Sequence, residues 1–367
     1  MQPVVVVGGG IVGTSVAAHL AARDVPVHLM ERDSLGAGTT AASVAIFLWH
    51  QEDPTPVEHR LRERSWETYG PLVADETLSF ERIGTVETAR TDAEVAHLEH
   101  LEAELGEYGV ETEWLTDGLR DHGLDPDAFA AGLHVPADGY LDPGEIVQVF
   151  AERARQHGAT VETGVAVEDV VVADGAVVGV ETERGRVDAS AVVNAAGPWA
   201  PAIDAMVGVS VPLRHTRGPI LVLQRDTPFD LPFVLLEDDL YFREESTNQA
   251  FAGRFATDFE AASVLDPDGA HGIDHAFRVD VADVIERAVP RLRDAEIVAD
   301  WVGIRTVTPD GRPFVGETDV EGYHVATGMS GLGVTRSPAV GDLLGGMIAG
   351  EDVDPEFAAY LAPDRLE

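Results

Sequence analysis

Apolar and polar positions in the first thirty residues follow two different periods. Residues 3–7 form a short, wholly apolar run, which is typical of a parallel strand buried on both faces. A glycine cluster follows, and the apolar residues of the next stretch, "TSVAAHLAARD", recur at helical spacing. The segment "VHLM" then predicts a second strand that ends at Glu31. The pattern therefore predicts a strand–helix–strand unit of about 30 residues.

The same reasoning predicts elements further along the chain. Asp142 and Pro143 begin an amphipathic stretch that predicts a helix, and "ATVETG" predicts the strand after it. "GAVVGVETERGRVDASAVVN" alternates around glycine turns, as in a β-meander. A helix is predicted over 92–108, between two strands. The segments "GPILVLQ", "FVLLE", "LYFREE" and "QAFAGRF" predict successive strands of an antiparallel sheet, and "YHVATG" predicts a strand leading to a helix near Pro338.

The glycine cluster after the first strand fits the pattern G-x-G-x-x-G. The first glycine permits a tight turn, the second lets a pyrophosphate approach the backbone, and the third lets helix and strand pack closely. An acid about 20 residues later can accept hydrogen bonds from ribose hydroxyls, and it disfavours the 2′-phosphate of NADP. A purely structural glycine turn is the alternative. The residues predicted to bind a dinucleotide here are Gly8, Gly10, Ile11, Val12, Gly13 and Glu31.

The next segment, "ERDSLGAGTTAAS", separates FAD from NAD as the predicted cofactor. It resembles the D-amino-acid oxidase, sarcosine oxidase and glycine oxidase family of FAD enzymes, in which a similar "G-S-G-T-T" segment lies beside the pyrophosphate and flavin. The resemblance implies that Arg32, Thr39, Thr40 and Ser43 contact the cofactor. Some members carry a flavin-linking histidine after the two threonines, where this chain has Ala41 and Ala42. With no cysteine in the chain, we expect non-covalent FAD.

Two later blocks extend the resemblance over nearly the full length. One starts at "GYLDPGEIVQVFAERARQHGATVETGVAVEDV" and runs on to "VVNAAGPWA". The other is "WVGIRTVTPDGRPFVGETDVEGYHVATGMSGLGVTRSPAVGDLL". The second is similar to the family's glycine-rich turn whose backbone amides face the flavin pyrimidine ring. Many relatives have a histidine near this turn, where Met329 or Leu332 stands here. The further cofactor contacts that the resemblance implies are Val167, Ala196, Gly197, Trp199, Gly328, Gly331, Leu332, Gly333, Val334 and Thr335.

The expected fold class is α/β. A Rossmann-like FAD-binding domain is expected to comprise residues 1–45, 141–211 and 299–367. It interleaves with an α+β substrate-binding domain, residues 46–140 and 212–298, which is built on a mixed, largely antiparallel sheet.

Composition narrows the chemistry. The chain has 65 Asp and Glu residues against 25 Arg and no Lys, and its formal net charge is −40. Such self-repulsion disfavours the compact state unless salt screens it, so we expect a halophilic source. A merely acidic mesophilic protein is the alternative. Nucleic acid and anionic membranes are not expected partners. No signal peptide or membrane span is evident, so a cytoplasmic location is expected.

Candidate chemistry follows from the resemblance. Family substrates are amino acids or N-methyl amino acids, oxidised by hydride transfer to flavin N5 to an imine that water hydrolyses. Arg305 matches the position that holds the substrate carboxylate in glycine oxidase-like members, and Tyr241 matches a strand position that faces the substrate. His50 is a candidate cavity residue, with a structural role as the alternative. Arg336 is a weaker candidate for contacting substrate or phosphate. His97 and His100 are expected to lie on the exposed surface of their helix rather than to bind a metal, and no metal is expected.

Three other functions remain open. The first is an FAD-dependent 2-hydroxy acid oxidoreductase, which needs a base near N5, with His50 as the candidate. The second is a flavin subunit of a larger electron-transfer complex, and the third is an NAD-dependent dehydrogenase. Sarcosine oxidase-like members place a lysine beside the flavin to promote reaction with oxygen. Because this chain has no lysine, we expect a dehydrogenase with an electron-carrier acceptor rather than a fast oxidase.

Overall fold

A computed structural model describes residues 2–51, 54–236 and 239–366. The strands, in chain order, are β1 Val4–Val7, β2 Val27–Glu31, β3 Ile46–Phe47, β4 Phe80–Arg82, β5 Thr85–Ala89, β6 Glu113–Leu115, β7 Ala131–Val135, β8 Gly139–Leu141, β9 Thr160–Thr163, β10 Val167–Ala173, β11 Ala176–Thr182, β12 Gly185–Asp188, β13 Ala191–Asn194, β14 Arg214–Gln224, β15 Phe233–Leu235, β16 Leu240–Ser246, β17 Gln249–Arg254, β18 Glu296–Val307, β19 Phe314–Glu317 and β20 Tyr323–Thr327. The α-helices are α1 Ile11–Ala21, α2 Pro56–Ala74, α3 Asp92–Glu107, α4 Pro143–Gln156, α5 Ala200–Met206, α6 His275–Ala288, α7 Gly333–Ala349 and α8 Pro355–Leu361.

A six-stranded sheet has β1 at its interior. The strand order is β19-β20-β13-β1-β2-β9, and every neighbouring pair is parallel except β19 with β20. Val4 pairs with Ala191 on one side and with Val27 on the other. The strand–helix–strand prediction for the first thirty residues is confirmed, and the strand order, with β1 between β2 and β13, is the one expected of a Rossmann-like unit.

The alternation of side chains in β1 explains why its sequence is apolar throughout. Val4 and Val6 pack with α1, α4 and α7 on one face of the sheet. Val5 and Val7 pack on the other face, against the antiparallel meander of β10, β11 and β12. Successive side chains of a strand point to opposite faces, so a strand covered on both sides has no polar position.

The second large sheet has eight strands in the order β18-β14-β17-β16-β15-β5-β7-β6. All its pairs are antiparallel except β15 with β5. The four successive strands expected between residues 214 and 254 are confirmed as β14 to β17. The small sheet β3-β8-β4 completes the strand pairing. Among the described residues, no helix combines the length and apolar character needed to cross a lipid bilayer.

Helix ends follow their sequence signals. Thr91 and Glu94 form a reciprocal capping box at the start of α3, and Asp142 accepts a 2.8 Å bond from the Glu145 amide at the start of α4. The α7 helix continues through Pro338, which has no N–H to donate to the Val334 carbonyl four residues earlier. The Tyr69 hydroxyl donates to that carbonyl at 3.0 Å instead, so the helix tolerates the proline.

Candidate active site

A cavity of about 730 Å³ opens beside the carboxyl ends of β1, β2 and β13. Ligands of open α/β sheets bind in this crevice, and the volume lies within the range of roughly 300–1,000 Å³ that is usual for small-molecule sites. Of the residues predicted to bind the cofactor, the cavity is lined by Gly8, Gly10, Ile11, Val12, Glu31, Arg32, Thr39, Thr40, Ser43, Val167, Ala196, Gly197, Trp199, Gly331, Gly333 and Val334.

Three glycines in and just after the turn that follows β1 serve different purposes, because the atoms around each of them differ. Gly8 has φ +105°, and a Cβ there would lie 2.6 Å from the Ala195 carbonyl oxygen. A Cβ at Gly13 would lie 1.9 Å from the Gly8 carbonyl oxygen, so this glycine lets α1 pack against the turn. A Cβ at Gly10 would meet only the Thr40 hydroxyl, at 3.2 Å, and would otherwise project into open space. The turn is therefore a cradle that a side chain at Gly10 would partly fill.

The start of α1 faces this cradle without a side-chain cap. Gly10 is the N-cap residue, and the Ile11 amide donates to the Thr40 hydroxyl at 3.1 Å. Glu31 at the end of β2 accepts from the Gly9 amide at 2.7 Å and from the Asp33 amide at 2.8 Å. The positive end of the helix and its amides suit a pyrophosphate, and a fixed carboxylate beside it suits ribose hydroxyls.

The second glycine turn, residues 328–333, reaches the same cavity. Gly331 and Gly333 line it, and α7 begins at Gly333 without a side-chain cap. Gly328, Leu332, Thr335 and Gly13 are not among the lining residues. Thr335 is buried and donates to the Ile46 carbonyl at 3.2 Å, and Gly328 has φ +76°. Two helix starts, of α1 and α7, therefore converge on one cavity, and neither is capped by the side chain of its own N-cap residue.

A loop from elsewhere in the chain covers part of the cavity mouth. Pro267 and Asp268 belong to residues 263–274, the 263–274 loop, and both line the cavity. Asp268 accepts from the Trp199 indole at 3.1 Å and from Arg32 at 3.3 Å. The Arg32 guanidinium also lies 4.3 Å from the centre of the Trp199 ring. The hydrogen bond from Arg32 holds the pKa of the Asp268 carboxyl below its usual value. The sequence did not predict that Asp268 lies at the cavity, because its segment, "DPDG", is typical of any turn.

Arg305 occupies the boundary between this cavity and a smaller one of about 70 Å³. Its side chain is half-buried, and one terminal nitrogen donates to the Arg254 carbonyl at 2.8 Å. The other terminal nitrogen, Nη1, has no hydrogen-bond partner. Among residues 2–51, 54–236 and 239–366, no carboxylate lies within ion-pair distance of Arg305. Burial lowers its pKa, although Tyr241 acts in the opposite direction.

Tyr241 lines the smaller cavity together with Arg305. It is 1% exposed, and burial raises the pKa of its hydroxyl, an effect that the nearby Arg305 charge partly offsets. The two cavities share Thr39, Ser43, Arg305 and Gly331. The smaller cavity is therefore a side chamber of the larger one, with a cation and a phenol in its wall.

Both side chains lie over glycines of neighbouring strands. Gly253 is the cross-strand partner of Tyr241, and a Cβ there would lie 2.2 Å from the ring carbon that bears the hydroxyl. A Cβ at Gly218 in β14 would lie 2.9 Å from the Arg305 guanidinium carbon. Sequence reasoning missed this role, because the pairing register across β14, β17 and β18 is not visible in the sequence.

His50 lies outside the lining of both cavities. Its Nε2 is 2.5 Å from a carboxylate oxygen of Glu87. Burial opposes protonation of His50, but the hydrogen bond and charge of Glu87 outweigh it and raise the pKa of His50. The buried Asp138 accepts from the Trp49 amide at 2.6 Å beside this pair. His50 therefore lies outside the candidate active site. Arg336 is also buried and donates to Glu58 at 2.9 Å.

The residues present fit FAD. The cradle at Gly10, the uncapped start of α1 and the carboxylate of Glu31 suit the pyrophosphate and ribose. The amides at the start of α7 suit the electron-rich end of a flavin, because such amides stabilise developing negative charge. Val167 and Trp199 line the cavity on the side of Glu31 and Arg32, where an adenosine would lie.

Comparison with known sequences gives one family over nearly the whole chain. Residues 3–347 match the family described as "FAD dependent oxidoreductase", or DAO. The 4-methylaminobutanoate oxidase (formaldehyde-forming) of Paenarthrobacter nicotinovorans is 30% identical over 92% of this chain, which spans 42% of that protein. The mouse mitochondrial dimethylglycine dehydrogenase is 29% identical over 93% of this chain, which spans 41% of it. The glycine oxidase of Geobacillus kaustophilus is 26% identical over 97% of this chain and 95% of its own length.

Solved structures agree on the fold. The L-proline dehydrogenase from P. horikoshii superposes with a TM-score of 0.90 at 25% identity, covering 100% of this chain and 97% of that one. The glycine oxidase structure from Geobacillus kaustophilus has a TM-score of 0.85 at 24% identity, covering 99% and 98% of the two chains.

Proposed function

Because the chain belongs to the FAD dependent oxidoreductase (DAO) family, we propose that it oxidises a CH–NH donor, an amino acid or an N-methyl amino acid. The relatives compared above are named for glycine, dimethylglycine, L-proline and 4-methylaminobutanoate. Each of these compounds carries an amine nitrogen and a carboxylate. The observation that supports the proposal most is the guanidinium of Arg305 in the wall of the side chamber, whose buried Nη1 has no hydrogen-bond partner.

A buried guanidinium without a counter-ion costs several kcal/mol, and an anionic ligand removes much of that cost. Arg305 would therefore hold the substrate carboxylate, with the Tyr241 hydroxyl as a second donor. This anchoring would direct the rest of the substrate toward the larger cavity, past Thr39 and Gly331. Bound FAD supplies the two-electron acceptor, and the imine product is then hydrolysed by water. The side chamber of about 70 Å³ favours a small substrate such as glycine, sarcosine or a small D-amino acid.

Two features of the sequence support further details. Ala41 and Ala42 follow the threonine pair and the chain has no cysteine, so the FAD would be bound non-covalently. The absence of lysine supports a dehydrogenase that uses an electron carrier in preference to oxygen. The position of the six-stranded sheet within residues 1–45, 141–211 and 299–367 supports the proposal that these ranges form the FAD-binding domain. Residues 46–140 and 212–298 would then form the substrate-binding domain.

The 2-hydroxy acid alternative receives less support from the site. It needs a base that deprotonates an alcohol, and the candidate, His50, is paired with Glu87 outside both cavities. An amine delivered as the neutral species has no such requirement. We therefore propose the CH–NH donor over the CH–OH donor.

Anaerobic bleaching of the flavin tests the proposal. The FAD-loaded protein, purified in high salt, is mixed with glycine, sarcosine, dimethylglycine, proline, D-alanine and the 2-hydroxy acids lactate and glycolate. At least one amine is expected to bleach the flavin absorption, and the hydroxy acids are not. Bleaching by hydroxy acids alone would reject the proposal. Reoxidation of the reduced protein by oxygen as fast as by a dye acceptor would reject the dehydrogenase assignment.

Substitution of the anchor tests the role of Arg305. Arg305→Gln is expected to keep the bound FAD but to weaken substrate binding by about 100-fold or more, because it leaves the carboxylate without its cation. Arg184→Gln, which changes an exposed arginine, is the matched control. Equal substrate affinity in Arg305→Gln and the parent protein, at equal FAD content, would reject the anchoring role.

A further inference from the structure

The eight-stranded sheet has β18 at one edge and β6 at the other. Two imidazoles and a carboxylate lie close together at the β6 edge. Glu113 in the edge strand β6 is the direct cross-strand partner of His134 in β7. A carboxylate oxygen of Glu113 lies 3.3 Å from Nδ1 of His134. His122 reaches the same place from the turn that follows the 3₁₀ segment Asp117–Arg120. None of these residues lines the cofactor cavity or its side chamber.

The ring of His134 packs closely against a glycine. Gly84 has φ +70°, and a Cβ there would lie 2.3 Å from Nε2 of His134, so this ring position requires glycine. The side chain of His134 is only 12% exposed. With Nε2 packed against the backbone, Nδ1 is the nitrogen directed toward Glu113. A ligand whose orientation is fixed before binding loses little conformational entropy.

The position of His122 is also fixed by its surroundings. Its ring centre lies 4.6 Å from that of His134, at an interplanar angle of 54°. The turn is anchored by Leu119 and Leu124, which are both buried in the core beneath the sheet. One potential ligand atom from each of Glu113, His122 and His134 falls within 4.8 Å of the other two. Ligand atoms around a tetrahedral ion with bonds of about 2.0–2.2 Å are roughly 3.3–3.6 Å apart, so small side-chain shifts suffice.

We propose that Glu113, His122 and His134 bind a divalent transition-metal ion, of which Zn²⁺ suits the donor set best. Two imidazole nitrogens with one carboxylate oxygen are established zinc ligands, and three protein ligands leave a fourth position for water. The same donors also accept Ni²⁺ and Cu²⁺, whereas Mg²⁺ and Ca²⁺ prefer oxygen-only sites. The exposed fourth position is remote from both cavities, so the ion would act on structure rather than on the oxidation.

Charges around the site are compatible with a cation. Asp121 and Arg291 are the other charged groups near His122, and they act in opposite directions. Arg291 is engaged with the Asp121 carbonyl at 2.9 Å and with the Asp230 carboxylate at 3.2 Å.

The ion would join three separate chain segments at an exposed sheet edge. β6 has only three residues, and within the part of the chain that the structure describes no strand pairs with its outer side. Bridging it to β7 and to the turn at His122 would hold both the edge strand and the turn against the sheet. Because the ion binds only the folded arrangement, binding would raise the melting temperature.

A competition titration with Zn²⁺ tests the site. The FAD-loaded protein, without an affinity tag and in chelator-treated high-salt buffer, is titrated with ZnCl₂ against a chromophoric chelator. One equivalent of Zn²⁺ is expected to bind, with a rise in melting temperature. The double variant His122→Gln/His134→Gln is expected to bind Zn²⁺ at least about tenfold more weakly and to lose the rise in melting temperature. The matched control is His97→Gln/His100→Gln, which removes two exposed histidines from α3.

Each outcome of the titration decides the proposal. Loss of the tight equivalent in the first double variant but not in the control supports the site. Absence of a tight equivalent in the parent protein rejects it, as does equal binding by the parent and the first variant. A Co²⁺ spectrum of the parent, with the absorption of a four-coordinate N/O site, provides a second readout that does not depend on variant folding.

Discussion

At the scale of single residues, the side chamber depends on two glycines in the strands beside it. Tyr241 and Arg305 are large side chains that pack closely against Gly253 and Gly218. Neither glycine is needed for an unusual backbone angle, since both lie within regular strands. Their contribution is the absent Cβ, which leaves room for a ring and a guanidinium. The shape of the side chamber therefore depends in part on two residues that have no side chain.

Substitution at one of these glycines is predicted to affect binding and stability together. In Gly253→Ala, the new methyl group would overlap the Tyr241 ring, so the ring must move. We expect a loss of about 1–3 kcal/mol in unfolding free energy and an increase in substrate KM of at least about tenfold. Denaturant unfolding and steady-state kinetics measure the two effects.

A helix glycine provides the control for this prediction. Gly106 lies within α3, and a Cβ there would meet nothing within 4 Å. Gly106→Ala is expected to stabilise the protein by about 0.5–1 kcal/mol through helix propensity, with kinetics unchanged. Wild-type KM in Gly253→Ala would contradict the proposed role of this position.

At the scale of elements, one buried carboxylate joins three helices. Glu58 in α2 accepts from Arg62 at 2.7 Å, from Arg336 of α7 at 2.9 Å and from Tyr360 of α8 at 3.0 Å. Arg336 also donates to the Met329 carbonyl at 3.3 Å, in the turn that enters the cofactor cavity. Burial acts to raise the pKa of Glu58, but Arg336 and Arg62 outweigh it and lower the pKa to about 2.

Glu58 is predicted to make stability depend on pH in a defined window. A carboxylate whose pKa falls on folding stabilises the protein above its unfolded pKa of about 4.5, and this contribution is lost as pH falls toward about 2. Glu58→Gln should therefore lower the unfolding free energy by about 3 kcal/mol at pH 7 and by much less near pH 2. Urea unfolding at several pH values in high salt measures this.

A neighbouring surface acid supplies the comparison. Glu63 on the same helix is 55% exposed, so Glu63→Gln is expected to change stability by no more than about 0.5 kcal/mol. A deficit in Glu58→Gln that stays constant from pH 7 to pH 2 would show that the carboxylate charge is not what joins the helices.

The 263–274 loop is the second element with a defined link to the site. His215 of β14 holds one end through a 2.6 Å bond from its amide to the Ser263 carbonyl, and Arg217 holds the other through Asp274 at 2.8 Å. Between these points, Asp268 bonds Arg32 and Trp199 at the cavity mouth. The loop therefore closes part of the route by which FAD would leave.

Asp268→Asn is predicted to release FAD about 3–10 times faster than the parent protein, because an amide cannot replace the ion pair with Arg32. The difference should narrow at higher ionic strength, which screens exposed ion pairs. Fluorescence of FAD freed after dilution measures the rate. The control is Glu260→Gln, an exposed substitution just before the loop, which should release FAD at the same rate as the parent protein. If Asp268→Asn also released FAD at the parent rate, the loop would have no role in retaining the cofactor.

Elements were predictable from sequence where the signal is local. The β1–α1–β2 unit, the start of α4 and the strands β14 to β17 depend on periodicity, caps and turn residues that are close in sequence. Asp268, Gly218 and Gly253 could not be predicted, because their roles depend on chain segments far away in sequence and on the pairing register. His50 shows the same limit, since its partner, Glu87, lies in β5, 37 residues further along the chain.

At the scale of the whole molecule, the main feature is the large negative net charge. A formal net charge of −40 on 367 residues makes mutual repulsion a property of every surface, and the pyrophosphate of FAD is also anionic. The many surface ion pairs between arginine and acids offset only part of it. Stability and cofactor affinity should therefore both respond to ionic strength.

Raising NaCl from 0.1 M to 1 M shortens the screening length from about 10 Å to about 3 Å. We expect the melting temperature and the affinity for FAD both to rise over this range, which thermal denaturation and fluorescence titration measure. A neutral osmolyte such as sucrose, added at matching osmolality in 0.1 M NaCl, should not restore FAD affinity to the same extent. A melting temperature independent of NaCl would contradict this account of the composition.

The interior position of β1 has a consequence for biosynthesis. Its pairing with β13 joins residues near opposite ends of the first half of the chain, and β20 is added beyond β13 from the last fifty residues. While the ribosome is still making the middle of the protein, β1 can pair only with β2, and its other edge stays open. Contacts of such long sequence separation form slowly. The nascent chain thus carries an apolar strand with one unpaired edge through about the first half of its synthesis, so misassembly of this protein should first be seen under conditions that slow translation.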